Sequence, residues 1–346
     1  MAEALAASPS LPFEQQLYAR SPFGLILTTA ALFALMFGSF LAAASLEHVA
    51  TIQRTASGIG FSNAAWPALV LSLLCCSALA MQRYTRLAEA RDAPAYAAIL
   101  AGGTSSAFDV TRMTAPREAR LVRSTLIGLA VGLAISAFVR FSELREGHTI
   151  PPATMAWFAA ATTFLVVLFT RGVEQTRSGH RSYARMLASE LKIDLLRIDT
   201  LSVLGRSAAR SALIWFVVSA VACLFFVGGD LNWLTVLLIV ACVAVGFGFF
   251  VSVMSRIHKQ IVQAKAAELE QVRRHIDAMR ARMHEDDHAA ARLHGMLAYE
   301  KRIAEAPEWP FDQTTLVRVG ASALILTVPW FGQAIVQYLI ERVAQR

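Results

Sequence analysis

Six long apolar stretches constrain this chain more than any other feature of its sequence. A bilayer core needs about 17–25 mostly apolar residues per helix, and all six meet or approach that length. They are Phe23–Ala44, Ala64–Met81, Ser124–Val139, Pro152–Thr170, Ser211–Val227 and Leu231–Met254. A seventh, Val319–Ile340, is long enough but carries Pro329, Gln333 and Gln337. Together with a hydrophobic fraction of 56% and a mean hydropathy of +0.50, they predict an all-α, polytopic membrane helix bundle of six to seven spans.

The basic residues predict how the spans are oriented. With the N-terminus inside, the outer loops hold three of the 32 Lys and Arg residues, Arg54, Arg140 and Arg145, while the N-terminal tail and inner loops hold 27. That asymmetry obeys the positive-inside rule. We therefore expect a membrane protein with a cytoplasmic N-terminus. Its net charge of +7 would face anionic lipid headgroups, and no nucleic-acid recognition motif accompanies the charge.

The same pattern divides the chain into four regions. They are a flexible N-terminal tail (1–22), a six-helix membrane region (23–254) with cytoplasmic connections at 83–123 and 171–210, a cytoplasmic helical hairpin (255–306), and an elbow with a terminal membrane segment (307–346). Within the second connection, apolar residues of Tyr183–Leu204 recur at helical spacing. We predict an amphipathic helix there, lying either on the inner membrane surface or against the rest of the cytoplasmic part.

The hairpin follows from a geometric requirement. No helix breaker separates the sixth apolar stretch from the charged run Ser255–Ala304, yet the chain must return to the membrane by about Asp312. Apolar residues in the outgoing half step by three and four, the period of a coiled coil. They are Leu269, Val272, Ile276, Met279 and Met283. This interface could pair with the returning half, with another subunit of a homo-oligomer, or with a separate cytoplasmic protein.

Small residues mark one face of the third apolar stretch. Ser124, Gly128, Gly132 and Ser136 follow at four-residue steps. Such a ridge lets two helices approach closely. We expect its partner helix to lie in the same chain.

A weak metal-site candidate lies at the predicted hairpin tip. His284 and His288, four residues apart, would share one helix face, and Asp287 could add an oxygen ligand. A polar hairpin tip explains the same three residues without a metal. We expect no metal, no cofactor and no enzymatic activity, because the chain contains no phosphate loop, no metalloprotease motif and no nucleophile elbow.

The most distinctive string is Glu308-Trp309-Pro310-Phe311-Asp312. Pro310 disfavours a helix at its predecessor, and Asp312 can cap the helix that follows. The string therefore predicts a rigid elbow; a functional interpretation would make it a coupling joint that passes motion of the hairpin into the membrane. The elbow and terminal segment resemble the end of a group of uncharacterised bacterial multi-pass membrane proteins, a likeness that implies the bacterial inner (plasma) membrane. The run from Asp194-Leu195-Leu196 through Arg206, Arg210, Leu213 and Trp215 is also similar to theirs, so the likeness covers about the C-terminal half.

Two functions fit this layout. The first is an oligomeric channel that conducts ions or small solutes passively and opens under control of the hairpin, with Pro329, Gln333 and Gln337 as candidate pore or gate residues. The second is a membrane scaffold that recruits a cytoplasmic partner through the hairpin. Span cores almost free of ionisable residues count against an ion-coupled pump.

Overall fold

The structure is a computed structural model, and it describes residues 13–55, 58–99, 118–145, 151–189, 194–226, 233–281 and 287–309. Eight α-helices lie within these ranges, and six of them are long and apolar enough to cross a membrane. The predicted all-α membrane helix bundle is therefore confirmed. The seventh predicted segment lies outside the described residues.

The helices are numbered here in chain order. They are α1 Phe13–Arg20, α2 Gly24–Leu46, α3 Ala65–Ile99, α4 Glu118–Arg145, α5 Pro152–Ser189, α6 Ser202–Ala222, α7 Trp233–Ala281 and α8 Asp287–Ala304. Several spanning helices run well past the predicted apolar stretches. The longest, α7, has 49 residues because nothing in its sequence breaks the helix where hydrophobic residues give way to charged ones.

Contacts between helix ends show that the ends cluster on two opposite sides. On one side, Glu47 at the end of α2 accepts hydrogen bonds from the first turn of α5, and Trp66 of α3 donates to the Leu224 carbonyl just beyond α6 at 2.9 Å. On the other, Arg171 of α5 reaches Glu14 of α1. We call the first side the distal face and the second the basic face.

Helices α3 and α6 lie nearest the centre of the bundle. Their buried residues Val70, Leu74 and Val218 belong to one apolar core. Helix α7 packs closely against α6, because a Cβ on Gly246 would lie 2.8 Å from the Cβ of Trp215. Helices α2 and α4 lie outside and expose large apolar side chains, as expected of surfaces that face lipid or another subunit.

The predicted helix over Tyr183–Leu204 is wrong as a single element. Helix α5 ends at Ser189, and residues 194–201 form a turn followed by a 3₁₀ turn at Ile198–Leu201. Asp194 explains the interruption in part, because its carboxylate accepts a hydrogen bond from the Leu196 N–H at 3.0 Å. Aspartate competes with helix formation through such local bonds.

Two further elements were not predicted. Residues 13–20 form helix α1, although they were expected to belong to a flexible tail. An antiparallel pair of short strands, β1 (Ile52–Thr55) and β2 (Gly58–Phe61), lies in the connection between α2 and α3, with Ile52 opposite Phe61.

Candidate functional site

The predicted hairpin is a pair of packed helices, which we call the arm: residues 255–281 of α7 together with α8. Its base is its best buried part. Ile257 and Ile261 of α7 and Ile303 of α8 are fully buried. Ile257 and Ile261 belong to the same apolar core as Leu201 and Ala306, so the arm is anchored to the basic face.

The predicted hairpin interface lies on one face of α7. Val272 is 3% exposed, and Leu269, Ile276 and Met279 are partly buried; Met283 lies outside the described residues. Polar contacts join the two helices of the arm: Arg273 bonds Glu300 at 2.7 Å, and the Tyr299 hydroxyl donates to Glu268 at 3.0 Å. This hydrogen bond, then burial and the charges of Glu268 and Asp194, raise the pKa of Tyr299.

The described part of the elbow is attached to α7 by four side-chain contacts. The Trp309 indole stacks on the His258 imidazole, with ring centroids 4.3 Å apart and planes 12° apart. His258 Nδ1 lies 3.1 Å from the Glu308 carbonyl oxygen, so this nitrogen carries the proton. Lys265 donates to the Ala306 carbonyl at 3.0 Å and pairs with the Glu308 carboxylate at 3.5 Å. We call these five residues the elbow joint.

Part of the predicted elbow cannot be placed in the same way. Pro310, Phe311 and Asp312 lie outside the described residues, as do the candidate pore residues Pro329, Gln333 and Gln337. Of the metal candidates, His284 lies outside them too, and Asp287 and His288 are described only in their backbone. Within the described ranges, no group of three His, Cys, Asp or Glu side chains could hold a metal ion.

The ridge of small residues packs against α5. A Cβ on Gly128 would lie 2.8 Å from the Val167 Cα, and one on Gly132 would lie 2.7 Å from the Thr163 Cα. Polar groups follow the same line: Thr170 donates to the Ser124 carbonyl at 3.0 Å, and Ser136 donates to the Ala159 carbonyl at 3.3 Å. The partner of the ridge is thus a helix of the same chain.

A buried ion pair holds α1 to the bundle. Glu14, only 2% exposed, receives two hydrogen bonds from the Arg171 guanidinium, and the Arg171 Nη1 donates to the Thr125 hydroxyl at 2.7 Å. Tyr18 is buried nearby, with its hydroxyl 3.1 Å from that of Thr29. Three elements distant in sequence therefore meet at this point of the basic face.

A groove lies between α3, α5 and α6, and Val253 of α7 lines one side of it. It contains about 1120 Å³ of empty space, including its open mouth. Its lining divides into two sets. The apolar set is Ala78, Leu165, Leu168, Phe169, Leu204, Ala208, Ile214, Trp215, Val218 and Val253, the polar set is Gln82, Thr85, Arg86, Glu89, Gln175, Thr176, Ser207 and Ser211, and Gly172 and Gly179 complete the lining.

The two sets occupy different depths. Helices α3 and α5 run toward the basic face, and along α3 the lining passes from Ala78 through Gln82 to Glu89. Helix α6 runs the other way, and its lining passes from Leu204 and Ser207 to Val218. The groove is therefore apolar at mid-bundle, and its polar side chains lie toward the basic face, beside Leu204 and Ala208. Arg86 and Glu89 form an ion pair at 3.4 Å with side chains 13% and 11% exposed.

Sequence reasoning did not find this groove. Its lining comes from three helices whose relative rotation no local pattern reveals. The only available signal was the polar residues Gln82, Gln175 and Ser211 beside the ends of three apolar stretches. Comparisons with protein-family profiles, curated protein sequences and solved structures returned no match.

Proposed function

We propose that this membrane protein is a passive channel for ions or small solutes, without enzymatic activity, in which the arm controls opening through the elbow joint. The arm lies in the cytoplasm of a bacterial cell in this proposal, and several copies assemble through exposed apolar faces such as those of α2 and α4. We also propose that the C-terminal half is related to the group of bacterial membrane proteins whose C-terminal part contains a similar Glu-Trp-Pro-Phe-Asp string.

The elbow joint carries the proposal. Helix α7 has no break between Trp233, inside the bundle, and Ala281, at the end of the arm. A displacement of the arm is therefore passed along α7 as a rigid body. His258 and Lys265 hold Trp309, Glu308 and Ala306, so the chain that enters the terminal segment moves with α7. The candidate pore or gate residues Pro329, Gln333 and Gln337 follow in that segment and would respond to its movement.

The composition of the spans supports passive rather than coupled transport. Between the two faces, the spans contain no Asp, Glu, Lys or Arg in residues 24–46, 65–82, 124–139, 152–170, 211–222 and 233–254. Proton- and ion-coupled transporters place such groups within the membrane. A pathway lined by amides, hydroxyls and apolar gates needs none of them.

Flux through liposomes tests the proposal. Purified protein would be reconstituted and ion flux recorded under voltage, membrane tension and pH change, with empty liposomes as the blank. We expect saturable, protein-dependent flux that changes when Trp309 is replaced by Ala and is retained in the Trp309→Phe variant. Absence of conductance under all three stimuli would overturn the proposal.

A membrane scaffold is the second candidate function, and one observation favours it. Ile276 and Met279 stay partly exposed, and Leu297 of α8 is 47% exposed, so the outer part of the arm has apolar area left for a partner. Replacing both Ile276 and Met279 by Ser should abolish capture of a partner while membrane insertion persists. Identical pull-downs with wild type and variant would exclude this function.

A further inference from the structure

We infer that the groove between α3, α5 and α6 binds one membrane phospholipid whose headgroup carries both a phosphate and a primary ammonium, as in phosphatidylethanolamine. The lining has three properties that suit such a lipid: its polarity along the membrane normal, the order of its two charges, and the space beside its glycine residues.

The polarity of the lining matches a lipid seated from the bilayer. Leu165, Leu168, Phe169 and Val218 line the part at mid-bundle, where acyl chains lie. Amide and hydroxyl groups begin about one helical turn nearer the basic face, at Gln82 and Gln175. A water-soluble ligand would gain little from the apolar part, whereas an acyl chain can enter it from the bilayer without contacting water.

The two charges have the order of an ethanolamine headgroup. Arg86 lies deeper on α3 than Glu89, by about 4.5 Å at 1.5 Å per residue. In the bound lipid, the phosphate would accept hydrogen bonds from Arg86, and the ammonium, two carbons farther out, would donate to Glu89. Arg86 has five N–H donors, so it can serve the phosphate while keeping its ion pair with Glu89.

Neutral polar groups complete the headgroup site. The Gln175 amide donates to the Gln82 Oε1 across the groove at 3.5 Å, a long bond that uses one N–H of Gln175 and neither N–H of Gln82. Ser207 and Ser211 on α6 add hydroxyls. Arg86 and Glu89 offer the headgroup one positive and one negative charge, which suits a zwitterionic headgroup.

Glycine residues keep open space in the groove that larger side chains would fill. A Cβ on Gly172 would meet the Trp215 ring at 3.7 Å and the Gln82 amide nitrogen at 3.8 Å, both ordinary contacts, and one on Gly179 would meet nothing within 4 Å. The remaining atoms of a Leu side chain at position 172 would therefore project into the volume that the lipid occupies.

Native mass spectrometry of the full-length protein in mild detergent tests the inference, with phosphatidylethanolamine, phosphatidylcholine and phosphatidylglycerol of identical acyl chains as probes. We expect the first lipid to bind at least about tenfold more tightly than the other two, since trimethylated choline cannot donate to Glu89 and glycerol carries no cation. Glu89→Gln should remove this preference.

The Gly172→Leu variant distinguishes lipid that is bound in the groove from lipid that is bound elsewhere on the protein. This variant should weaken binding of all three lipids at least about tenfold. Gly248→Leu is the matched control, because Gly248 is an exposed glycine on α7 with open space around it, outside the groove. This variant should bind the three lipids as tightly as wild type does. Thermal unfolding confirms that each variant is folded. Equal affinity for the three lipids in wild type, or unchanged binding in folded Gly172→Leu protein, would overturn the inference.

Discussion

His258 of α7 and Trp309 of the elbow are stacked face to face, 4.3 Å between ring centroids. The two residues are 51 positions apart, and the whole turn of the arm lies between them. This stack closes the base of the arm, where the fully buried Ile257 and Ile303 also lie. A displacement of α7 is therefore passed directly to Trp309.

Removing the Trp309 ring should loosen the elbow joint. Stacked aromatic pairs contribute about 0.5–1.5 kcal/mol beyond area burial, so we expect Trp309→Ala to accelerate hydrogen exchange in residues 303–309 by about two- to tenfold. Mass spectrometry of peptides from this segment measures the rate. Trp309→Phe keeps a ring and should stay near the wild-type rate, and equal exchange in the Ala variant would show that the stack does not hold the elbow.

The ridge of small residues should tolerate no added methyl group. In Gly132→Ala, the new Cβ would lie 2.7 Å from the Thr163 Cα, and because that atom is backbone, α4 and α5 must separate. Overpacking of this kind costs about 1–3 kcal/mol. Denaturant unfolding followed by Trp fluorescence measures the loss. Gly38→Ala, on α2 with open space around it, is the matched control and should not destabilise the protein.

The buried pair between Glu14 and Arg171 should be sensitive to loss of one partner. Glu14→Leu leaves the Arg171 guanidinium, itself 14% exposed, without its counter-charge. Breaking a buried pair in this way costs about 3–5 kcal/mol. The double variant Glu14→Leu with Arg171→Met removes both charges and should recover part of the lost free energy of unfolding. A double variant that is less stable than the single one would contradict this interpretation.

Glu47 should give the distal face a pH-dependent stability. Partial desolvation raises the pKa of Glu47, but hydrogen bonds from the Ala153 and Thr154 N–H groups and the Thr154 hydroxyl outweigh it, so the pKa lies below its ordinary value of 4.5. A lowered pKa contributes stability that is present above the unfolded value and lost as pH falls through the folded one.

The matching measurement compares melting temperatures of wild type and Glu47→Ala between pH 7 and pH 3. We expect the variant to melt lower at pH 7 and the difference to shrink below pH 4.5. Glu305→Ala removes an exposed carboxylate on the arm, 67% exposed, and should change melting little at any pH. A constant difference for Glu47→Ala across the range would rule out the linkage.

The six spans and the arm were predictable because their signals are local. Apolar length fixes a span, and the three-and-four step of Leu269, Val272 and Ile276 fixes the buried face of the arm. Helix α1 was not predictable in this way, because its position depends on Arg171, 157 residues from Glu14.

The interrupted connection and the groove were also not predictable from the spacing of apolar residues. The periodic apolar residues around Leu195 and Leu201 favour a helix, yet the Asp194 carboxylate bonds the local backbone and a turn forms. The groove depends on how α3, α5 and α6 are rotated about their axes. Gln82 and Gln175 face each other across it, although 93 residues separate them.

Accessibility of the arm tests the orientation on which these functions depend. A cysteine would replace Arg280, exposed near the end of α7, or Gln53, exposed in β1 on the distal face. The four native cysteines are buried and should stay unlabelled. With a membrane-impermeant maleimide, we predict labelling of the Arg280→Cys variant in inside-out vesicles only and of the Gln53→Cys variant in spheroplasts only. Labelling of the Arg280→Cys variant in intact spheroplasts would contradict a cytoplasmic arm.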